Sequence, residues 1–190
     1  MRPCPEAKYY SHALVVPKPN LDKETGEKQW RNCIDFKNLN EASTTERWPL
    51  PVIHTMLQEI GNTRPKPRVF AKADFTHGFH QSPLARSAQI YTAFIVSFGI
   101  YCWCRVPMGL KGAPSYFQNV MASVLGSLLF LICRLYIDDV LIWGDSNAAL
   151  IDNTEKVLER LSAHNIYLNP DKFYLGMSSI EYTGHVLDEE

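Results

Sequence analysis

The amino-acid sequence predicts an α+β fold built on a sheet with the split β-α-β, or ferredoxin-like, pattern. From residue 69 onward, apolar segments with strand or helix periodicity follow one another as strand, helix, strand, strand, helix, strand, once a separate hairpin at 91–106 is set aside. A length of 190 residues, 46% of them hydrophobic and 21% charged, is that of one ordinary globular domain. In this topology the first strand is a neighbour of the hairpin formed by the second and third strands.

Two more strands are predicted near the N-terminus, at residues 14–18 and 30–35, with a polar loop between them. Pro17 and Pro19 favour an edge position for the first of these strands, because proline cannot donate a hydrogen bond to a neighbouring strand.

Three amphipathic helices are predicted from apolar residues at helical spacing. The first begins near Val52 and ends at Gly61, the second begins at Pro114, and the third is capped by residues 145–147. In the third helix, the residues expected to face the core are Leu150, Thr154, Val157, Leu158 and Leu161. The final strand is predicted at residues 180–186.

The segment Tyr136-Ile137-Asp138-Asp139 lies between two apolar runs, at 128–133 and 140–143, whose composition is typical of strands. This pattern predicts a tight hairpin with both carboxylates at its tip. Adjacent anions repel each other, and a divalent cation would relieve the repulsion. The alternative is a solvated turn with no further role.

A third carboxylate, Asp74, lies near the end of the strand predicted at residues 69–75. In the predicted topology this strand is a neighbour of the hairpin that carries Asp138 and Asp139. Three carboxylates at neighbouring strand ends can hold two metal ions about 3.5–4 Å apart, the arrangement that polymerases use for phosphoryl transfer. The third acid therefore favours a metal site over a solvated turn.

The Tyr-Ile-Asp-Asp segment resembles the Tyr-x-Asp-Asp signature of reverse transcriptases, and other segments resemble successive motifs of that family in its order. These segments are residues 35–40, 48–51, 73–75 with 78–81, 91–94, 107–114 and 182–185. The resemblance covers about residues 11–186 and points to polymerases of gypsy-type long-terminal-repeat retrotransposons. It implies a polymerase palm with a ferredoxin-like sheet, plus a fingers subdomain.

The resemblance implies an RNA-directed DNA polymerase that extends a primer with dNTPs by two-metal nucleotidyl transfer. Asp74, Asp138 and Asp139 match the catalytic carboxylates, and Lys172 matches a lysine proposed to protonate the pyrophosphate leaving group. The implied metal-binding residues are Asp74, Phe75, Asp138 and Asp139, with two Mg²⁺ ions as cofactors and Mn²⁺ as a substitute. The alternative for Lys172 is an ordinary solvated lysine.

The resemblance also implies contacts with the incoming nucleotide. Lys18 and Arg31 match fingers residues that contact the triphosphate, and the alternative for both is a solvated surface charge. Phe79 matches an aromatic that lies against the sugar and excludes a ribose 2′-hydroxyl, with core packing as the alternative. Met108 stands where other members carry Gln or Phe. Gln118 lies off the apolar stripe of its helix and is expected to face the active site.

The whole chain is expected to be a single reverse transcriptase domain. Residues 1–68 and 86–112 would form mainly the fingers, and residues 69–85 and 113–190 mainly the palm. Thumb, connection and RNase H segments are expected to be absent, so the isolated fragment could be inactive. The expected partners are an RNA or DNA template with its primer, dNTPs, and the missing thumb and RNase H portions of a polyprotein.

Composition excludes several classes of protein. Five cysteines, an odd number mostly in apolar segments, predict reduced thiols and neither a disulfide scaffold nor a structural zinc site. The net charge of −1 does not favour nucleic-acid binding, but residues 1–72 carry a net +4 and residues 73–190 a net −5. Without a signal peptide or a membrane-spanning apolar run, the chain is expected to be intracellular, in the cytoplasm, a virus-like particle or the nucleus, with no membrane partner.

Two other functions are left open by the sequence. The first is a truncated, non-catalytic retroelement remnant that binds nucleic acid or a protein partner, which the intact Asp74, Asp138 and Asp139 disfavour. The second is another palm-fold nucleotidyl transferase, such as an RNA-dependent RNA polymerase, which Phe79 disfavours.

Overall fold

The structure is a computed structural model that describes residues 1–21, 25–44 and 48–188, with the side chains of residues 18–21 outside the description. Its strands are β1 (Arg2–Pro3), β2 (Ser11–Leu21), β3 (Lys28–Ile34), β4 (Val69–Asp74), β5 (Phe94–Val96), β6 (Gly99–Cys102), β7 (Cys133–Tyr136), β8 (Asp139–Gly144), β9 (Tyr174–Met177), β10 (Ile180–Tyr182) and β11 (His185–Leu187). Its α-helices are α1 (Lys37–Ala42), α2 (Ile53–Asn62), α3 (Arg86–Gln89), α4 (Ala113–Leu125) and α5 (Asn147–Ala163). Within the described ranges, no helix is both long and apolar enough to cross a lipid bilayer.

The chain divides into two compact units, and the first combines Met1–Glu46 with Ser82–Ala113. Its strands form one sheet in the order β1-β6-β5-β2-β3. The expected edge position of β2 is only half correct. This strand pairs with β5 at Ser11 and His12, whereas the stretch that contains Pro17 pairs only with β3. The internal part of β2 is thus the part without proline, as the missing donor requires.

The second unit combines Arg47–Gln81 with Pro114–Glu190, and its main sheet has the strand order β7-β8-β4-β9. All neighbours in this sheet are antiparallel, and α4 and α5 lie between strands in the predicted sequence of elements. The predicted α+β class and split β-α-β pattern are therefore confirmed.

Side chains alternate between the two faces along each strand, and on the central strand β8 both faces are buried. On β8, Val140 and Ile142 join a cluster with residues of α4 and α5, whereas Leu141 and Trp143 join a second cluster with α2 and β10. Met56 and Ile60 of α2 belong to that second cluster. Residues 48–68, which belong to the segment expected to form mainly the fingers, lie in the second unit.

Three local predictions differ from the structure. The strand expected at 128–133 begins only at Cys133, because Leu131 and Ile132 donate their N–H groups to the carbonyl of Leu128 in a turn. The single strand expected at 180–186 is the hairpin β10–β11, and the fourth strand of the sheet is β9. In α5, Leu158 is exposed, although the other expected core positions are buried.

Thr154 provides a test of the packing of α5. Its hydroxyl is buried and makes no hydrogen bond to any group in the described part of the chain. Replacement with valine removes an unsatisfied polar atom but keeps the shape, so Thr154→Val should raise the free energy of unfolding by about 1 kcal/mol in urea denaturation. Thr154→Ala is the matched control and should lower it, because it also leaves a cavity. A less stable valine variant would contradict this account.

Candidate active site

The candidate site lies at the end of the β4–β8 ladder in the second unit. These strands pair from Val69 opposite Gly144 to Asp74 opposite Asp139. The ladder continues beyond its last pair, because the N–H of Phe75 donates to the carbonyl of Asp138 at 3.2 Å. Residues directly opposite each other in an antiparallel pair have their side chains on the same face. The side chains of Asp74 and Asp139 therefore lie on the same face, and the backbone of Asp138 adjoins them at the same end of the sheet.

The predicted hairpin between β7 and β8 is present and turns at Ile137 and Asp138, but Asp139, also expected at the tip, is the first residue of β8 and pairs with Tyr136. Ile137 has a φ of 52°, a left-handed conformation that costs a non-glycine residue about 1–2 kcal/mol. Its N–H donates to Oε1 of Gln118 at 2.7 Å, and Nε2 of Gln118 donates to the carbonyl of Leu135 at 3.2 Å. Gln118 is buried, and both the carbonyl and the NH₂ group of its side chain are hydrogen-bonded to the hairpin backbone. Its expected contact with a nucleotide stays a prediction.

Asp138 lies against Gly78, the first residue of the motif at 78–81, a contact that the sequence did not predict. A Cβ atom on Gly78 would be 2.5 Å from Oδ1 of Asp138 and 3.3 Å from the ring of Phe117, so any larger residue would displace one of them. Oδ1 of Asp138 is itself buried and has no hydrogen-bond partner among the described residues. A buried carboxylate oxygen without a donor is costly and is suited to a cation.

Burial, together with the crowding of acids, raises two pKa values. The pKa of Asp138 is raised to about 6, first by burial and then by the negative charges of Asp74 and Asp139. Burial also raises the pKa of Asp139, and the positive charge of Lys72 opposes that effect. Both pKa shifts are upward, as expected for carboxylates that are partly removed from water and lie near other negative charges.

Lys172 supplies part of the counter-charge. Its Nζ lies 2.9 Å from Oδ2 of Asp74, in a partly exposed ion pair. The structure therefore brings the predicted catalytic lysine to the predicted carboxylates, but as a partner of Asp74. Whether it protonates a leaving group stays a prediction.

The residues fit a divalent cation in donor chemistry. Hard oxygen ligands of the kind that Mg²⁺ prefers are present at Asp74, Asp138 and Asp139, with the main chain of Phe75 beside them. Within the described ranges, however, no three Asp, Glu, His or Cys side chains lie together as a group that could hold one ion. The three carboxylates therefore do not form one compact ligand group among the described residues, and Lys172 engages Asp74.

Phe79 follows on a short 3₁₀ turn, Gly78–Gln81, in the same unit. It is half-buried, and its ring packs edge-to-face on Phe117 with 5.5 Å between centroids. Phe75 packs on the same ring at 5.4 Å. Phe79 is therefore held in place by the core while part of it stays accessible, and its contact with a sugar stays a prediction.

The other expected nucleotide contacts lie in the first unit. Arg31 is exposed on β3, and Met108 is exposed in the loop before α4. The side chain of Lys18 lies outside the described residues. None of these three placements tests a contact with a triphosphate.

Asn40 holds the loop that follows Met108, a role that the sequence did not predict. Nδ2 of Asn40 donates to the carbonyl of Gly109, and the N–H of Lys111 donates to Oδ1 of Asn40, each at 2.8 Å. The ammonium group of Lys111 also donates to the carbonyl of Ser43. Asn40 ends the motif at 35–40, but nothing in the local sequence pairs it with a loop about 70 residues away.

Comparisons with known proteins agree with this geometry. A family model described as "Reverse transcriptase (RNA-dependent DNA polymerase)" matches residues 16–187. The retrovirus-related Pol polyprotein from transposon opus of Drosophila melanogaster is 34% identical over 179 residues, which are 94% of this chain and 17% of that protein. The corresponding polyprotein from transposon gypsy of the same organism is 33% identical over 182 residues, 96% of this chain and 17% of that protein.

Solved structures show the same fold. The crystal structure of native prototype foamy virus protease-reverse transcriptase has a TM-score of 0.81 at 21% identity, over 96% of this chain and 23% of that chain. The foamy viral protease-reverse transcriptase in complex with an RNA/DNA hybrid has a TM-score of 0.77 at 19% identity, over 96% and 23%. At such identities the likeness is one of fold. The chain spans only 17% of the two polyproteins it resembles.

The raised pKa of Asp138 predicts how stability depends on pH without metal. A carboxyl whose pKa rises from 3.8 to about 6 on folding favours the fold fully below pH 3.8, and this contribution is lost as pH rises through 6. Asp138→Asn should therefore stabilise the chain in EDTA at pH 8, by on the order of 1 kcal/mol after solvent screening, and have little effect at pH 3.5. Urea denaturation at both pH values measures this. Asp145→Asn, at an exposed carboxylate, is the control, and an equal gain there would contradict the prediction.

Proposed function

This chain belongs to the reverse transcriptase (RNA-dependent DNA polymerase) family, and from that membership we propose that it is the part of such a polymerase that carries the catalytic carboxylates. The resemblance found in its motifs to gypsy-type retrotransposon polymerases is confirmed at the level of the family. The proposed reaction is extension of a primer with dNTPs by nucleotidyl transfer. The observation that carries the proposal is the convergence of Asp74, Asp138 and Asp139 at one end of the β4–β8 ladder.

Reverse transcriptases generally use divalent metals, and we propose that Asp74, Asp138 and Asp139, with the main chain of Phe75, hold two Mg²⁺ ions. Bound ions would lower the pKa of the primer 3′-hydroxyl and neutralise the triphosphate. The chain's own contribution is to keep the Asp138 carboxylate in a partly desolvated pocket, where attraction to a cation is stronger than in water. With a pKa of about 6, this carboxylate is ionised at neutral pH and available as a ligand.

Lys172 has a second role in this proposal. Its ammonium group balances the charge of Asp74 in the free chain, and a cation bound at that carboxylate would compete with it. We propose that the released ammonium group then donates a proton to the departing pyrophosphate. Positioning and charge neutralisation then account for most of the rate, as is general for phosphoryl transfer.

We further propose that Lys18, Arg31 and Met108 contact the incoming nucleotide, and that Phe79 lies against its sugar. The half-buried ring of Phe79, fixed by Phe117, supports this assignment because a rigid aromatic can exclude a 2′-hydroxyl. The proposed partners are a template with its primer, dNTPs and other segments of a polyprotein. Support comes from the foamy viral enzymes solved with double-stranded DNA and with an RNA/DNA hybrid, and from the polyprotein relatives. Those relatives also support an intracellular location, in the cytoplasm, a virus-like particle or the nucleus.

The alternative is a non-catalytic remnant that binds nucleic acid or a protein partner. Two features favour this alternative. Lys172 is paired with Asp74, and no cluster of three metal-binding side chains is found in the described part of the chain. The two functions differ in one observable, because a remnant binds a primer-template without incorporating nucleotides.

Removal of one carboxylate charge tests catalysis. Asp138→Asn should reduce Mg²⁺-dependent primer extension by on the order of 10²–10³-fold, since it removes an anionic ligand without changing side-chain size. Extension of a labelled primer on an RNA template, alongside binding of the same duplex, is the measurement. Asp145→Asn should extend like the wild type. Binding without extension by the wild-type chain would favour the remnant, and an active Asp138→Asn would refute the role of Asp138.

Selection against ribonucleotides tests Phe79. Phe79→Val should raise the efficiency of ribonucleotide incorporation relative to deoxynucleotides by about 10-fold or more, because a smaller side chain admits the 2′-hydroxyl. Single-nucleotide extension with a dNTP and the matching ribonucleotide measures the ratio. Phe98→Val, at an exposed aromatic, is the control and should leave the ratio unchanged. Equal use of both nucleotides by the wild type would instead favour an RNA polymerase.

A further inference from the structure

Gln118 acts on the backbone of the acidic hairpin. The strand β7 is at the edge of its sheet, so its last residues, Leu135 and Tyr136, have no strand neighbour on the outer side among the described residues. Gln118, from α4, accepts from the N–H of Ile137 and donates to the carbonyl of Leu135, two residues apart on that outer side. One side-chain amide thus replaces the missing strand at the last residues before Asp138.

The hydrogen bond to Ile137 is made at the strained position of the hairpin. A β-branched residue with a φ of 52° is an outlier, and such conformations persist only when the surrounding structure holds them. The 2.7 Å bond from the N–H of Ile137 is the shorter of the two and is accepted by Oε1 of Gln118, a side chain that is only 3% exposed. Water therefore cannot easily take its place, and Gln118 is suited to hold this conformation.

The conformation of Ile137 determines where the next side chain points. Oδ1 of Asp138 has no hydrogen-bond donor among the described residues, so the orientation of the carboxylate is not fixed by a hydrogen bond to that atom. Gly78 and Phe117 bound the space that it occupies, and Phe117 precedes Gln118 on α4. The backbone turn and these two neighbours are what direct the carboxylate.

We infer that Gln118 is a positioning residue that holds Ile137 in its left-handed conformation and thereby directs the carboxylate of Asp138 toward the proposed metal site. This inference rests on the proposed metal-binding function of Asp138. It gives Gln118 a role through the hairpin backbone and no contact with the nucleotide, contrary to the sequence-based expectation. Glycine at position 137 would adopt the same conformation without strain, so the need for Gln118 should then diminish.

The test is a double-mutant cycle with Gln118→Met and Ile137→Gly. Methionine has a similar length and no hydrogen-bonding amide, so Gln118→Met should weaken binding of Mn²⁺ about tenfold, measured as free Mn²⁺ by electron paramagnetic resonance. In the Ile137→Gly background the same substitution should weaken binding by less than about threefold. Primer extension should show a lower kcat with an unchanged KM for the dNTP. Ser123→Ala, at an exposed serine on α4 that donates only within its own helix, is the control and should change nothing.

Each contrary result has a distinct meaning. A raised KM for the dNTP without weaker Mn²⁺ binding would return Gln118 to the nucleotide and overturn the inference. If Gln118→Met weakened Mn²⁺ binding equally with and without Ile137→Gly, the inference would also be overturned, because the effect of Gln118 would not depend on the conformation of residue 137. A wild-type chain that binds no Mn²⁺ would refute the proposed metal site itself, and this inference with it.

Discussion

The antiparallel pairing of β4 with β8 is the constraint on which the candidate site depends. It places Asp74 opposite Asp139 and leaves Asp138 at the hairpin tip. Like charges directly opposite on neighbouring strands are destabilising, so side chains elsewhere in the ladder must stabilise this register. The alternating residues of β8, such as Val140 and Leu141, are fully buried in separate clusters on the two faces. A slip of one residue would exchange every one of these side chains between faces, which makes the register costly to change.

Lysines make this concentration of acids tolerable in the free chain. Lys172 pairs with Asp74, and Lys72 opposes the raised pKa of Asp139 while donating at 2.8 Å to the carbonyl of Glu181 on β10. Both ammonium groups are partly exposed, so each contributes modestly and can move. Asp138 has neither lysine in contact, and its pKa is the one raised to about 6. Burial and the neighbouring acids therefore act together most strongly on the carboxylate at the hairpin tip.

The sequence predicts the parts of the fold that depend on periodicity. The helix α5 and the strand β4 lie where their apolar spacing places them, and the meeting of Asp74 with the acidic hairpin follows from the split β-α-β order alone. The errors occur where apolar residues form a turn, as around Phe130 with its φ of 79°, because hydrophobicity does not distinguish a buried turn from a buried strand. The contact of Gly78 with Asp138 was also missed, since it depends on packing distances between elements that are 60 residues apart.

Gln118 illustrates why polar residues are harder to assign than apolar ones. A polar residue off the apolar stripe of a helix is expected to face solvent or a ligand, but it can also form hydrogen bonds to main-chain groups of a neighbouring strand that have no other partner. Buried main-chain groups must find partners, and an edge strand beneath a helix has several that lack them. The sequence does not reveal which strand will be at the edge of the sheet, and so it cannot reveal which polar side chain will serve that edge. In this chain the edge strand β7 leads directly to the turn that contains Asp138. The side chain of Gln118 therefore both pairs with the backbone of the edge strand and holds the turn that the proposed chemistry needs.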